Sequence, residues 1–438
     1  MPDLCLRSGG FRIRAACRHS LIHAPVRCRT VGDCLKILAL IMAGGEGRRL
    51  SPLTADRTKP AVPFGGRYRI VDFVLSNLVN SGIRAIYLLV QYKSQSLIEH
   101  LRQAWQTSPT ALRHFVTVVP PQMLGGPYWF QGTADAVYQN LNLVRIHRPD
   151  HVAVFGADHV YRMDVRQMVQ FHEDNGADVT VAALPVPVEQ AHGYGVIDAD
   201  ANGMVRGFQE KPEQAVGMAG DPGRCLASMG NYVFKAEVLE KVLEEAHAAG
   251  EKDFGRDVIP RMLDGHRVFA YDFTSNQVPG LKSYEEAGYW RDVGTIAAYH
   301  RANLDVLGLQ PRFNVFNPDW PIFTSNYPGP VPKIVGGEIH NSIFGGGTIV
   351  NGARVRNSIV RREVFIDRDA ELDDCIVMDY SQIGAGARLR RVIVDRYNVI
   401  AAGTQIGYDL ESDSRRYHVD DDGIVVIARG VRGHQTIY

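Results

Sequence analysis

Apolar and polar positions follow two different patterns along this chain, and the pattern changes near residue 340. Before that point short apolar runs recur at Ile37–Ala43, Ala85–Val90, Phe115–Val119, Val152–Phe155 and Val179–Leu184. Stretches with helical periodicity lie between them, such as Val74–Asn80 and Ala134–Ile146. Continuous apolar runs read as buried strands. Strands alternating with helices predict an α/β domain with a Rossmann-like, mostly parallel sheet and helices on both faces. Ligands of such sheets gather outside the carboxyl ends of the strands, so chemistry is expected in the loops that follow them.

Past residue 340 helical periodicity gives way to a 17-residue repeat. Ile343, Val360, Val377 and Val394 form one apolar column. Ile349, Ile366, Ile383 and Ile400 form a second, and Val355, Leu372, Leu389 and Ile406 a third. Gly352, Asp369, Gly386 and Gly403 keep the same phase as turn formers. Within a coil the apolar positions mostly recur every six residues. This predicts a C-terminal left-handed parallel β-helix of the hexapeptide type, one triangular coil per period, with the aliphatic residues stacked inside. The Pro- and Asn-rich stretch Pro311–Pro332 reads as a linker. The expected organisation is a leader over 1–35, a catalytic domain over 36–310, a linker over 311–335 and the β-helix over 336–438.

Composition narrows the classes. Lys+Arg and Asp+Glu both number 48, so the basic excess of a nucleic-acid-binding protein is missing. No apolar run approaches the roughly 20 residues that span a bilayer. A cytoplasmic protein without nucleic-acid or membrane partners is expected. The head departs from this balance, with six Arg against Asp3 and Asp33 in residues 1–34. It lacks the apolar core of a secretory signal and is read as a disordered leader. It also carries Cys5, Cys17, Cys28 and Cys34, while Cys225 and Cys375 are far apart. Six such cysteines in a chain of this size are expected to be free thiols in a reducing compartment.

The first apolar run ends in Gly44-Gly45-Glu46-Gly47-Arg48-Arg49. Glycines after a strand let backbone N–H groups approach an anion. The spacing is neither a Walker A loop nor Gly-x-Gly-x-x-Gly, and alone it fits a plain tight turn equally well. With Arg49 and Lys59 close behind, it would surround a triphosphate with donors. Asp158, in Gly156–His159, follows another apolar run and is either a magnesium ligand or a helix cap. Asp292 is a second candidate ligand that only the fold could bring near. Glu210-Lys211-Pro212 is a solvated pair or a pocket wall shared with Gly193–Val196 and Ser228–Tyr232. Gly132-Thr133-Ala134 opens a helix, with Thr133 as its cap or as part of a base-binding loop.

Together with Lys59–Asp72 (KPAVPFGGRYRIVD), Ser76–Arg84, Gly132–Asn140 (GTADAVYQN) and Tyr289–Tyr299, these segments resemble the nucleotidyltransferase family of sugar-nucleotide pyrophosphorylases. The more specific resemblance is to its bacterial glucose-1-phosphate adenylyltransferase branch, and it runs from about Lys36 to the C-terminus. It implies synthesis of ADP-glucose and pyrophosphate from ATP and glucose 1-phosphate, the first committed step of glycogen biosynthesis. Arg49, Lys59, Asp158 and Asp292 would be catalytic, the two aspartates through Mg2+. Gly44, Gly45, Gly47, Gln91, Phe130, Gly132 and Thr133 would bind ATP. Gly195, Glu210, Lys211 and Ser228 would bind glucose 1-phosphate. Phe130 stands where enteric members have Tyr, which keeps stacking and loses a hydroxyl. The resemblance further implies a homotetramer with a sugar-phosphate activator and an AMP-type inhibitor at Arg57, Arg69 and Arg396. Asp56 replaces an effector-linked Lys of the enteric enzymes, which points to fructose 6-phosphate or a related activator.

Two alternatives remain open in the sequence. One is a pyrophosphorylase that uses UTP, dTTP or GTP. The other is a non-catalytic regulatory subunit, which the retention of Arg49, Lys59 and Asp158 disfavours.

Overall fold

The computed structural model describes residues 35–105, 115–123, 126, 128–218 and 220–432. The expected leader, apart from Leu35, and with it four of the six cysteines, lies outside the described residues. Cys225 and Cys375 are buried free thiols.

The apolar run after Lys36 forms β1 (Ile37–Met42), the strand at the centre of the site-bearing half of a nine-stranded sheet. Helix α1 (Val71–Asn80) leads to β2 (Ala85–Leu89), and α2 (Gln95–Ala104) precedes β3 (Phe115–Val119). After α3 (Thr133–Tyr138) comes β4 (His151–Gly156). These four strands are parallel in the order β4-β1-β2-β3, with Leu40 opposite Val154 on one side and Tyr87 on the other. All six residues of β4 are buried, as expected of a parallel strand covered on both faces.

The chain then makes the short β5 (His159–Tyr161) and returns through β6 (Val179–Pro187), β7 (Gly195–Ala199), β8 (Val205–Glu210), β9 (Arg224–Lys235) and β10 (Val268–Asp272). Strand β9 runs antiparallel against β4, β6 and β7 and so joins the two halves of the sheet. Strand β11 (Trp290–Asp292) pairs antiparallel with β5, which sets Asp292 directly opposite His159.

The C-terminal region is a left-handed β-helix of parallel coils. Val360, Val377 and Val394 stack in register, as do Ile366, Ile383 and Ile400, and Val355, Leu372, Leu389 and Ile406. The first coil is one residue shorter than the repeat. Phe344, not Ile343, therefore heads the first column, and Val350, not Ile349, the second. A one-residue shift turns the side chain to the opposite face.

Gly352, Asp369, Gly386 and Gly403 all sit in the left-handed region at φ 58–70°, the backbone that turns each corner. Two further corner columns adopt it without glycine: Asn357, Asp374 and Arg391, and Glu363, Tyr380 and Tyr397.

The two regions share an apolar joint. Ile359, Ile376 and Ile393 pack with Leu50, Phe64, Phe73 and Phe313. Each such buried aliphatic side chain stabilises the joint by about 1.5–3 kcal/mol. Residues of the linker stretch lie against α1, where Phe323 N donates to Ser76 Oγ at 2.8 Å and Asn80 Nδ2 to Pro321 O at 2.9 Å. Among the described residues no helix is long and apolar enough to cross a membrane.

Candidate active site

The glycine loop leaves the carboxyl end of β1 and turns back at Gly47, whose φ of 64° lies in the left-handed region. A Cβ there would stand 3.2 Å from both Lys59 Cβ and Thr54 Cγ2, so the tight turn is also a close packing contact. The chain re-enters beneath the loop at Lys59, which starts a short helical turn.

The Lys59 side chain is only 8% exposed, and its ammonium sits between two carboxylates. It donates to Asp158 Oδ2 at 3.0 Å and to Asp292 Oδ1 at 2.6 Å. Burial alone would lower the lysine's pKa, but Asp158 and then Asp292 outweigh it, and the ammonium is held above its ordinary value. Burial would raise Asp158, yet Lys59 and His159 hold its carboxyl well below the usual range. Strand β4 delivers Asp158, and the β5–β11 ribbon delivers Asp292. His159, on the same ribbon, places Nε2 3.5 Å from Asp158 Oδ1.

Ligand atoms of Asp158, His159 and Asp292 all lie within 4.8 Å of one another. Two carboxylates and an imidazole are donors a divalent cation accepts, and Lys59 engages only Asp158 Oδ2 and Asp292 Oδ1, which leaves the other oxygen of each carboxylate for it.

Lys59, Asp158 and His159 border a cavity of about 880 Å³. Of the sequence candidates, Gly44, Gly45, Gly47, Arg49, Lys59, Gln91, Phe130, Gly132, Thr133 and Asp158 line it. Gln91 clamps the Phe130 backbone from both sides: its Oε1 accepts from Phe130 N at 2.8 Å and its Nε2 donates to Phe130 O at 3.2 Å. Gly132 passes so close to Lys252 that a Cβ would lie 2.3 Å from its carbonyl oxygen. Thr133 Oγ1 donates to Asp253 Oδ2 at 3.0 Å and accepts from Phe254 N at 3.0 Å.

Asp292 is not among the lining residues but is tied to them through Lys59, and the four glucose-1-phosphate candidates stand beside the cavity. Gly195 and Glu210 are register partners on β7 and β8. Lys211 Nζ pairs with Glu210 Oε1 at 2.9 Å, and Lys211 N donates to Tyr194 O at 3.0 Å. Ser228 Oγ accepts from Gly230 N at 3.2 Å, and Gly230 lines the cavity. Tyr194 packs on Trp290 with ring centroids 5.4 Å apart, which links this group to the ribbon carrying Asp292.

Three members of the constellation escaped the sequence reading: Asp253, His159 and Tyr194. Asp253 caps a helical turn through Gly255 N and Arg256 N while facing the cavity. An Asp ahead of Phe-Gly was the available signal. His159 lay within a motif already singled out, but only the β5–β11 pairing turns it toward the aspartates.

A family model described as nucleotidyl transferase matches residues 38–308, and one described as GlmU-like, C-terminal hexapeptide matches residues 333–427. The glucose-1-phosphate adenylyltransferase of Thermodesulfovibrio yellowstonii is 53% identical over 92% of this chain and 98% of its own length. The glucose-1-phosphate adenylyltransferase of Thermus thermophilus is 47% identical over 91% of this chain and 99% of its own length. The enzyme of the same name from Anaeromyxobacter sp. (strain Fw109-5) is 49% identical over 91% and 99%. The chain belongs to the glucose-1-phosphate adenylyltransferase family. It is accordingly a nucleotidyltransferase.

In this member of the adenylyltransferase family, Arg57, Arg69 and Arg396 meet at the joint with the β-helix. Arg57 and Arg396 are buried. Arg57 pairs with Asp395 through Nη2 and donates from Nε to Leu53 O at 2.8 Å, while its Nη1 has no partner among the described residues. The Nε of Arg396 is likewise buried without a partner. Arg69 Nη1 donates to Ser96 O at 2.8 Å. Burial first, and Arg396 next, push the Arg69 guanidinium down to about 9, so it remains a cation at pH 7 under repulsion. Arg361 and Arg362 face Asp379 nearby. Five guanidinium groups thus surround two carboxylates, Asp379 and Asp395. Arg69, Arg361 and Arg362 line a second cavity of about 500 Å³.

Proposed function

We propose that this chain condenses ATP with glucose 1-phosphate to ADP-glucose and pyrophosphate, the first committed step of glycogen biosynthesis. The observation that carries the reading is the Lys59 ammonium held between Asp158 and Asp292 beside the glycine-loop cavity.

The glycine-loop N–H groups and Arg49 hold the triphosphate, and the Gln91–Phe130 clamp with Gly132 and Thr133 forms the wall for adenine and ribose. Lys211 takes the phosphate of glucose 1-phosphate, and Glu210 accepts from the sugar hydroxyls above Gly195 and Ser228. Asp158 and Asp292 would hold Mg2+, which would supply positive charge against the triphosphate and the departing pyrophosphate. An oxygen of the sugar phosphate attacks the α-phosphorus of ATP, and pyrophosphate leaves in line. The attacking phosphate is already an anion at pH 7, so no general base is required. Arg49 and Lys59 reduce the repulsion between the two anionic substrates, and positioning supplies most of the remaining acceleration.

The arginine cluster is the effector site in this reading. Arg57 Nη1 and Arg396 Nε are buried donors without acceptors among the described residues, and cations in excess call for an anion. A sugar-phosphate activator, fructose 6-phosphate in the first instance, and an AMP-type inhibitor supply that charge at Arg57, Arg69 and Arg396. The enzyme works in the cytoplasm as a homotetramer, with a catalytic domain over 36–310, a linker over 311–335 and the β-helix over 336–438.

Pyrophosphate release from purified protein tests the reading, with glucose 1-phosphate, Mg2+ and ATP, UTP, dTTP or GTP in turn, each with and without fructose 6-phosphate. A clear preference for ATP that EDTA abolishes supports it. A preference for another nucleotide moves the protein to a different branch of the family.

A further inference from the structure

His159 has no assigned role, yet it completes the group of side chains around Asp158 and Asp292. It lies directly opposite Asp292 on the β5–β11 ribbon and follows Asp158 in the chain, so both neighbours are fixed by backbone geometry. Its ring packs on Trp290, with centroids 4.9 Å apart, which fixes the plane of the imidazole. Nε2 is the nitrogen turned toward Asp158. Nδ1 is buried with no partner among the described residues, so no second group among them dictates which ring nitrogen carries the proton.

Donors on opposite sides of a six-coordinate ion, each at about 2.1 Å, are about 4.2 Å apart, and adjacent ones about 3 Å apart. The ligand atoms of Asp158, His159 and Asp292 fall within 4.8 Å of one another, so small side-chain movements suffice to put all three on one ion. Two carboxylates alone make a hard oxygen site suited to Mg2+. An added imidazole shifts preference toward transition ions, which accept nitrogen more readily.

We propose that His159 Nε2 is a third, nitrogen ligand of the divalent cation at Asp158 and Asp292, so that this site takes Mn2+ or Co2+ more tightly than Mg2+. The inference rests on the reading of the aspartate pair as a metal site. The tautomer with the proton on Nδ1, which no contact among the described residues opposes, is the one that frees Nε2 for a metal.

The test is electron spin-echo envelope spectroscopy of Mn2+ on the full-length protein, with inorganic pyrophosphate as the only other ligand because it contains no nitrogen. The expected spectrum shows 14N modulation in the wild type that His159→Ala and His159→Gln both remove. Titration followed by the free-Mn2+ signal should show Mn2+ binding weakened about tenfold or more in both variants, while Mg2+, measured by competition, weakens less than about threefold. Mn2+ bound by the wild type with no 14N modulation overturns the proposal but leaves the aspartate pair as the metal site. An equal loss for Mn2+ and Mg2+ also overturns it, because His159 would then only position Asp158. Asp158→Asn separates the two claims: if that variant binds Mn2+ as tightly as wild type, the metal site itself is misassigned. The wild-type spectrum decides the matter even if neither His159 variant folds.

Discussion

Asp158 and Asp292, distant in the chain, are bridged by the single ammonium of Lys59 at 3.0 and 2.6 Å. The bridge joins three separate segments: the turn beneath the glycine loop, the end of β4 and the β5–β11 ribbon. One buried cation thereby offsets the charge of two neighbouring carboxylates.

Removing one of these charges should stop chemistry without unfolding the protein. Asp158→Asn is expected to lower kcat by about a hundredfold or more, the scale of a lost electrostatic group in a preorganised site. Steady-state kinetics with a thermal melt checks this. A near-normal kcat would remove Asp158 from the reacting centre.

Lys211 belongs to the group beside the cavity, with its side chain 56% exposed and paired to Glu210. Lys211→Ala should raise the KM for glucose 1-phosphate by about tenfold or more, the worth of one charged hydrogen bond, and leave the KM for ATP nearly unchanged. Initial rates with each substrate varied in turn provide the test. A rise for ATP alone contradicts the assignment.

The excess positive charge at the joint makes stability depend on anions. Inorganic sulfate should raise the melting temperature of the wild type more than sodium chloride at equal ionic strength. A site filled to a hundred times its Kd gains about 2.7 kcal/mol. Arg396→Ala should reduce that gain and raise the fructose 6-phosphate concentration needed for activation by about tenfold. Equal sulfate responses in the two proteins would mean that Arg396 does not face the anion.

Asp72, wholly buried, accepts from His100 Nε2 at 2.7 Å, Trp105 Nε1 at 2.9 Å, Thr324 Oγ1 at 2.7 Å and Arg69 N at 2.9 Å. Burial would raise its pKa, but His100, Thr324 and the Arg69 N–H outweigh it and hold the carboxyl below its ordinary value. A depressed carboxyl stabilises the fold above its unfolded pKa of about 3.9, and that stability is lost as pH falls further. Denaturant midpoints between pH 6 and 3 should therefore fall more steeply in the wild type than in Asp72→Asn. At pH 7 the variant should be less stable by about 3 kcal/mol, as for a broken buried pair. Parallel pH curves would refute the role.

Leu389 is fully buried inside the β-helix. Leu389→Ala should cost about 2–5 kcal/mol, read from denaturant unfolding. A loss below about 1 kcal/mol would mean that the coil collapses around the gap.

Sequence patterns revealed what repeats and what is continuous. The run Phe115–Val119 is a strand with those same ends. The Gly352 column marked one corner of each coil, because glycine advertises a left-handed backbone. The other two corners carry residues such as Arg391 and Tyr397, whose side chains give no such hint. The short first coil was hidden for a related reason: Ile343 and Phe344 are both apolar, so only strand pairing shows which one points inward. The expected helix over Ala134–Ile146 is broken at Gln139 and Asn140, where the Asn140 side chain bonds back to Ala136 O at 2.8 Å. At the site, single residues such as Asp158 could be picked out because each follows a strand. The bridge through Lys59 could not, since it depends on a two-stranded ribbon too short to leave a periodic signal.

The most direct test of the account follows the α-phosphorus of ATP into product. Full-length protein would be incubated with glucose 1-phosphate, Mg2+ and ATP labelled with 32P at either the α or the γ position. The α label should appear in ADP-glucose and the γ label in pyrophosphate, with neither product formed by Asp158→Asn. Label retained in ATP while UTP, dTTP or GTP is consumed under the same conditions would contradict it.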